Sequence, residues 1–150
     1  ALYDAHQRPL VLPLNNPTPA TQLLAISSAH AGERLQRTLQ TRLPKLTVIR
    51  TTSPLDHHST WLEIFPGNVS KSKTACWLCG ELNLDTRRTV TIGNDYNDID
   101  LLEWGACSYV VGNAPGDLRN QFTPVSSHDD NGFTQAVNRW LVRSSDSLPR

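Results

Sequence analysis

The stretch "TVTIGNDYNDIDLLEWGA", Thr89 to Ala106, decides the fold. A β-branched run, Val90-Thr91-Ile92, reaches Gly93. Asn94, Asp95, Asn97 and Asp98 follow at once, and a helix-like apolar spacing begins behind them. Asn and Asp suit turns and helix starts, because their side chains bond nearby backbone N–H groups. Four such residues are more than one turn and one cap require. The carboxyl end of a strand in an open α/β sheet is also where such folds bind ligands. Carboxylate and amide oxygens there suit a hard cation such as Mg²⁺, which often serves substrate phosphates. A structural and a functional reading both stand at this point.

Outward from this loop the chain alternates. Ser70 caps a predicted helix that runs to about Leu82. Strand "RTVTI", helix "DIDLLEW", strand "CSYVV", a helical turn after Pro115, strand "TPVS" and a last helix follow. Helices alternating with apolar strands predict a parallel α/β sheet. On the amino-terminal side the texture differs. "QLLAISSA" (22–29) reads as a buried strand. Leu35, Leu39 and Leu43 mark one face of a helix that Pro44 helps to end. "LTVIR" and the alternating "STWLEIF" read as strands, giving an α+β layer. Pro66 and Gly67 break the last of them. The expected organisation is therefore an α+β unit at 1–66, an α/β unit at 67–143 and a flexible tail at 144–150. Leu23–Ile26, Val90–Ile92 and Tyr109–Val111 are expected to be buried strands. Phe133, Val137 and Trp140 are expected to pack on the core sheet.

The bulk numbers narrow the function classes. The 150 residues carry 14 basic and 14 acidic side chains. No basic block makes an electrostatic case for nucleic acid, and no apolar run approaches the ~20 residues that span a membrane. The start lacks the charged-then-apolar pattern of a signal peptide. The three cysteines show no framework spacing, which fits a reducing compartment and a cytoplasmic protein. Cys76 and Cys79 form a C-x-x-C, but a zinc site would need two further ligands. Ala75, Leu78, Cys79 and Leu82 share a helix face, so these cysteines read as packing.

With these elements in place, the motifs resemble a known family. "IGNDYNDIDLL" resembles the fourth motif of the haloacid dehalogenase-like hydrolases, G-D-x-x-N-D. "VSKSKTACWL" resembles the third motif of the Cof-type branch, V-S-K-G before a helix. "VVGNAPGDLRNQFTPVSSHDDNGFTQAV" resembles the closing segment of that branch. The landmarks occur in order over roughly residues 63–141. The α+β part is similar to the second half of the cap domain that this branch inserts in its Rossmann-like core. The chain thus resembles the C-terminal half of such a protein, and Ala1 is not expected to be a natural start.

The resemblance implies a Mg²⁺-dependent phosphatase acting on a small phosphorylated metabolite through an aspartyl-phosphate. Lys71 and Asp98 would be catalytic, Lys71 and Asn97 would bind phosphate, and Asn94, Asp95 and Asp98 would hold the metal. Two departures matter. Asn94 stands where an Asp is usual, which removes a charge, and Asp95 is the nearest group to compensate. The nucleophile motif D-x-D is absent. Asp98-Ile99-Asp100 has its spacing but lies where a helix should begin. The expected partner is a missing amino-terminal half or a second copy. A regulatory module that binds phosphate or metal without catalysis, and a phosphotransferase such as a phosphomutase, are the alternatives. Trp61 and the His57-His58 pair read as packing and solvated loop.

Overall fold

The structure, a computed structural model, describes residues 19–146, with side chains through residue 143. Four elements form the first layer: β1 (Leu23–Ser27), α1 (Ala29–Arg42), β2 (Leu46–Thr52) and β3 (Thr60–Pro66). The strands make an antiparallel sheet in the order β1-β3-β2. Leu23 and Val48 both face Ile64, and Ala25 faces Leu62. The α1 leucines that recur every four residues, Leu35, Leu39 and Leu43, lie against Val48, Leu62 and Ile64 on one face of that sheet. The opposite face carries Ile49, Glu63 and Phe65, because side chains alternate along a strand.

The second layer holds α2 (Lys71–Glu81), β4 (Val90–Gly93), α3 (Ile99–Trp104), β5 (Cys107–Val110), α4 (Gly116–Gln121), β6 (Thr123–Pro124) and α5 (Gly132–Asp146). Its sheet is parallel, in the order β4-β5-β6, with Val90 beside Cys107 and Tyr109 beside Thr123. Tyr109, Val110 and Val111 are buried as the sequence predicts. Tyr109 and Val111 form a core with Val125 and Ala136, and Leu102, Val110 and Ala114 form a second one on α3. Val90 and Ile92 are half-buried and pack against the first of these. β4 is an edge strand: among the described residues only β5 pairs with it.

Three packing expectations are corrected. Leu23, Leu24 and Ile26 are exposed, not buried. β1 is an edge strand with a single neighbour; Leu24 and Ile26 lie on the face that α1 leaves open, whereas Leu23 shares the Ala25 face and is exposed at the start of the strand. Phe133 is also exposed. Trp140 packs on the core as expected and Val137 is half-buried, while the fully buried position of α5 is Ala136. On α2 only Cys79 is buried, while Leu78 and Leu82 of the expected apolar face are exposed together with Trp77. Of the tail expected at 144–150, α5 takes in the first residues as far as Asp146, and the rest lies outside the described residues.

Candidate functional site at the end of β4

The loop after Gly93 folds back on itself, and two carboxylates account for its shape. Asp95 caps the short turn Tyr96–Asp98, its Oδ1 accepting from the Tyr96 N–H at 2.8 Å. Asp98 returns the favour: its Oδ2 accepts from the Asn94 N–H at 2.8 Å and the Asp95 N–H at 3.4 Å. The pair is a capping box, which satisfies the amides that a helix start leaves open. Asp95 thus caps this turn, and α3 begins directly behind it, with Asp98 at its N-cap position and no side-chain cap of its own.

Gly93 makes this fold possible by its size. A Cβ built there would lie 2.7 Å from Asp98 Cβ and 2.9 Å from Leu102 Cδ1. Its φ is not positive, so room rather than backbone freedom is what the site takes from this glycine.

The remaining oxygen of Asp98 carries the charge pairing of the site. Lys71 Nζ donates to Asp98 Oδ1 in an ion pair. Asp98 is buried, whereas the Lys71 side chain is 44% exposed. Lys71 is the first residue of α2, held there by the cap at Ser70, whose Oγ accepts from the Lys73 N–H at 3.2 Å. A second tie fixes the two helix starts: the Ser72 N–H donates to Asp100 Oδ2 at 3.1 Å. Burial pushes the Asp100 carboxyl up, but hydrogen bonds from Ser70, Ser72 and Leu101 outweigh it and hold its pKa below the ordinary carboxylate value. Two helices 27 residues apart in sequence thus meet through Lys71–Asp98. Neither Asp98 nor Asp100 sits on a strand, which removes this D-x-D from consideration as a strand-end nucleophile.

Lys71 and Asn97 open onto one cavity of about 460 Å³. Its other walls come from both layers and are mainly apolar: Ile49 and Phe65 from the open face of the antiparallel sheet, Leu78 and Leu101 from α2 and α3, with Glu63, Ser70 and Thr74 as the polar members. Asn94 lines a different cavity, of about 480 Å³, with Asn113, His128 and Phe133. The sequence-predicted residues therefore divide: Lys71, Asp98 and Asn97 come together, and Asn94 looks elsewhere.

Asp95 faces the antiparallel layer. Its Oδ2 accepts from the Thr52 N–H at 2.7 Å and Thr51 Oγ1 at 3.0 Å, and its Oδ1 from Thr52 Oγ1 at 3.2 Å. Next to it, the Arg50 guanidinium lies 3.7 Å from the centre of the Tyr96 ring. The Tyr96 hydroxyl donates to Asp117 Oδ1 at 3.2 Å. Burial, and then the charge of Asp117, raise its pKa.

These contacts test the fit of a Mg²⁺ ion. Both oxygens of Asp98 and both of Asp95 already accept hydrogen bonds, which leaves the neutral carboxamides of Asn94 and Asn97 as the uncommitted side-chain oxygens of the loop. The described residues include no group of three or more His, Cys, Asp or Glu placed to hold a metal. The donors of the described residues alone do not fit the ion, which asks for near-octahedral oxygen coordination.

Sequence reasoning missed Thr51, Thr52, Asn113 and His128 as neighbours of the loop. Threonines at a strand end carry no local signal for a contact 43 residues away.

Comparison with known proteins agrees with this fold. The model of the haloacid dehalogenase-like hydrolases matches residues 11–137. A Streptococcus pyogenes protein that carries the name "Putative phosphatase" is 29% identical over 99 residues, which cover 65% of this chain and 35% of that protein. A crystal structure from Streptococcus mutans superposes with a TM-score of 0.69 at 18% identity, over 88% of this chain and 49% of that one. A solved sugar phosphatase of subclass IIB of the superfamily superposes with a TM-score of 0.64 at 17% identity, over 79% of this chain and 42% of its own. The chain thus spans between a third and a half of the length of the relatives it matches. No described helix is long and apolar enough to cross a membrane.

Proposed function

Because the chain belongs to the haloacid dehalogenase-like hydrolase family, we propose that it is the phosphate-clamping part of a phosphatase for a small phosphorylated metabolite. The observation that carries this reading is the Lys71–Asp98 pair, with Asn97 on the same cavity. An ammonium has three N–H donors. One of them rests on Asp98, and the side chain is exposed enough for the others to meet a phosphoryl oxygen. Asp98 fixes where that charge sits, since its own position is set by two backbone amides. Asn97 can add a neutral N–H donor. Positioning and charge stabilisation are the larger part of catalysis in phosphoryl transfer.

The covalent step in this reading belongs to an aspartate outside residues 1–150. Its oxygen attacks phosphorus, the alkoxide leaves and takes a proton, and water then cleaves the acyl phosphate to release inorganic phosphate. Mg²⁺, when bound, would neutralise charge on the phosphoryl oxygens. Its ligands would come chiefly from that same outside segment, with the Asn94 carboxamide as the donor from this loop. The chain is expected to act in the cytoplasm and to pair with the missing half or a second copy of itself. A module that binds phosphate without catalysis is the second reading, favoured by Asn94 and by the engaged state of Asp95 and Asp98.

Titration of the pure chain with inorganic phosphate, followed by ³¹P NMR, tests the clamp. Lys71→Met should lose binding and Asn97→Asp should weaken it. Equal binding by the parent and Lys71→Met refutes the assignment. The chain alone should not turn over p-nitrophenyl phosphate. Turnover abolished by Asp98→Ala would mean that the nucleophile lies within these residues. Asn94→Asp should strengthen Mg²⁺ binding in calorimetry, because a carboxylate attracts a hard cation more than an amide does. A weaker affinity would make Asn94 a turn residue.

A further inference from the structure

We infer that Asp95 is a positioning residue, a clasp that holds the antiparallel layer against the β4–α3 loop and so sets the width of the cavity beside Lys71. Asp95 lies in the loop and is buried. Its carboxylate takes three donors from β2: the Thr52 N–H, Thr52 Oγ1 and Thr51 Oγ1. It takes the fourth from its own turn, at Tyr96. One carboxylate therefore joins two layers that share no strand pairing.

Three consecutive β2 residues act on this one turn. Arg50 lies over the Tyr96 ring while Thr51 and Thr52 hold Asp95. All the donors to Asp95 are neutral, and the carboxylate makes no ion pair among the described residues. A buried charge of this kind is tolerable only while its hydrogen bonds are kept. Drawing β2 away would remove three of the four at once, so the contact favours one closed arrangement over a range of looser ones.

The consequence reaches the cavity. Ile49, one residue before Arg50 on β2, and Phe65 on β3 form one wall, whereas Lys71, Asn97 and Leu101 form the other. The walls belong to different layers, and the clasp is the polar bridge between them. Asp95 needs no contact with a ligand to control what fits. The structural part of this inference is independent of the phosphatase reading; the ligand part rests on it.

The test uses two variants of the 150-residue chain. Thr51→Val with Thr52→Val removes both hydroxyl donors and leaves the cap of the turn untouched. Asp95→Ala removes the acceptor. NMR residual dipolar couplings report the orientation of each layer, and hydrogen exchange reports the Thr52 amide. In the parent the two layers should share one alignment tensor. In Asp95→Ala the tensors should diverge while each layer keeps its own couplings, and the Thr52 amide should exchange at least about tenfold faster. The threonine variant should move the tensors the same way, and combining it with Asp95→Ala should add little, as expected for partners in one contact. Layers that keep a common tensor in both variants overturn the clasp.

The ligand arm compares phenyl phosphate with inorganic phosphate. Opening the clasp through the threonine variant, which keeps the cap of the turn, should weaken phenyl phosphate severalfold and leave inorganic phosphate unchanged. Unchanged phenyl phosphate in a variant with separated layers overturns the control of the cavity. If the parent binds neither, the phosphatase reading fails with this arm, and the dipolar couplings still decide the clasp.

Discussion

Replacing Gly93 by alanine tests how tightly the β4 loop is built. The new methyl would sit 2.7 Å from Asp98 Cβ, 2.9 Å from Leu102 Cδ1 and 3.1 Å from Asp98 Oδ2. Carbon atoms rest about 3.5–4.0 Å apart, so the overlap with the first two is nearly an ångström. Neither neighbour can step aside cheaply. Asp98 is held by Lys71 and two amides, and Leu102 is only 2% exposed. Overpacking of this kind costs about 1–3 kcal/mol. An opposing effect exists, because Gly93 has no positive φ and alanine lowers the entropy of the unfolded chain, which stabilises by about 0.4–1 kcal/mol. The net expectation is a loss of about 1–2 kcal/mol. For a chain of this size that corresponds to a melting temperature lower by about 2–8 °C. Urea unfolding followed by tryptophan fluorescence measures it, and hydrogen exchange at the Asn94 amide should rise in the same variant. A Gly93→Ala protein as stable as its parent, with the Asn94 amide still protected, would refute the packing argument and with it the fixed position of Asp98.

Two further outcomes follow from the same structure. The Asp100 carboxyl has a folded pKa below its unfolded value near 3.9. Its contribution to stability is therefore complete above about pH 4 and fades as pH falls through the lowered folded value. The difference in urea midpoint between the parent and Asp100→Asn should stay level from about pH 7 to 5 and close below about 4; a difference that widens in acid would contradict the Ser70 and Ser72 contacts. Leu82 and Leu84 are exposed just after α2, and β4 has an open edge; exposed apolar side chains and an unpaired edge both invite association. Leu82→Glu with Leu84→Glu should reduce self-association in light scattering while shifting stability by no more than about 0.5 kcal/mol per site; unchanged association would move the contact surface elsewhere.

Much of the architecture was legible because local signals and packing agree. Leu35, Leu39 and Leu43 name the face of α1 that the sheet buries, and Ser70 caps α2 as its position suggests. Burial was less legible where an element lies at an edge. Leu24 and Ile26 have the composition of a core strand, yet hydrophobicity cannot tell which strand will have one neighbour and which two. On α5 the expectation failed at Phe133 alone: Trp140 packs on the sheet as expected, and the fully buried Ala136 offers the small volume that lets the helix approach. At the candidate site the motif brought Lys71, Asn97 and Asp98 together on paper, and they share one neighbourhood in the fold. The threonines that occupy Asp95 come from a distant strand and carry no periodicity that points to it.

The exposure of Trp77 on α2 has a spectroscopic consequence. The protein has four tryptophans; Trp77 is 61% exposed, and Trp61, Trp104 and Trp140 are half-buried. Its indole is thus the most open to a soluble quencher such as iodide, and its emission is the reddest of the set. Any polypeptide that comes to rest on the apolar flank of α2 shields that ring, so the quenchable fraction falls and the spectrum moves to the blue. The molecule carries its own optical gauge of whether that helix stands bare or covered, and no label is needed to read it.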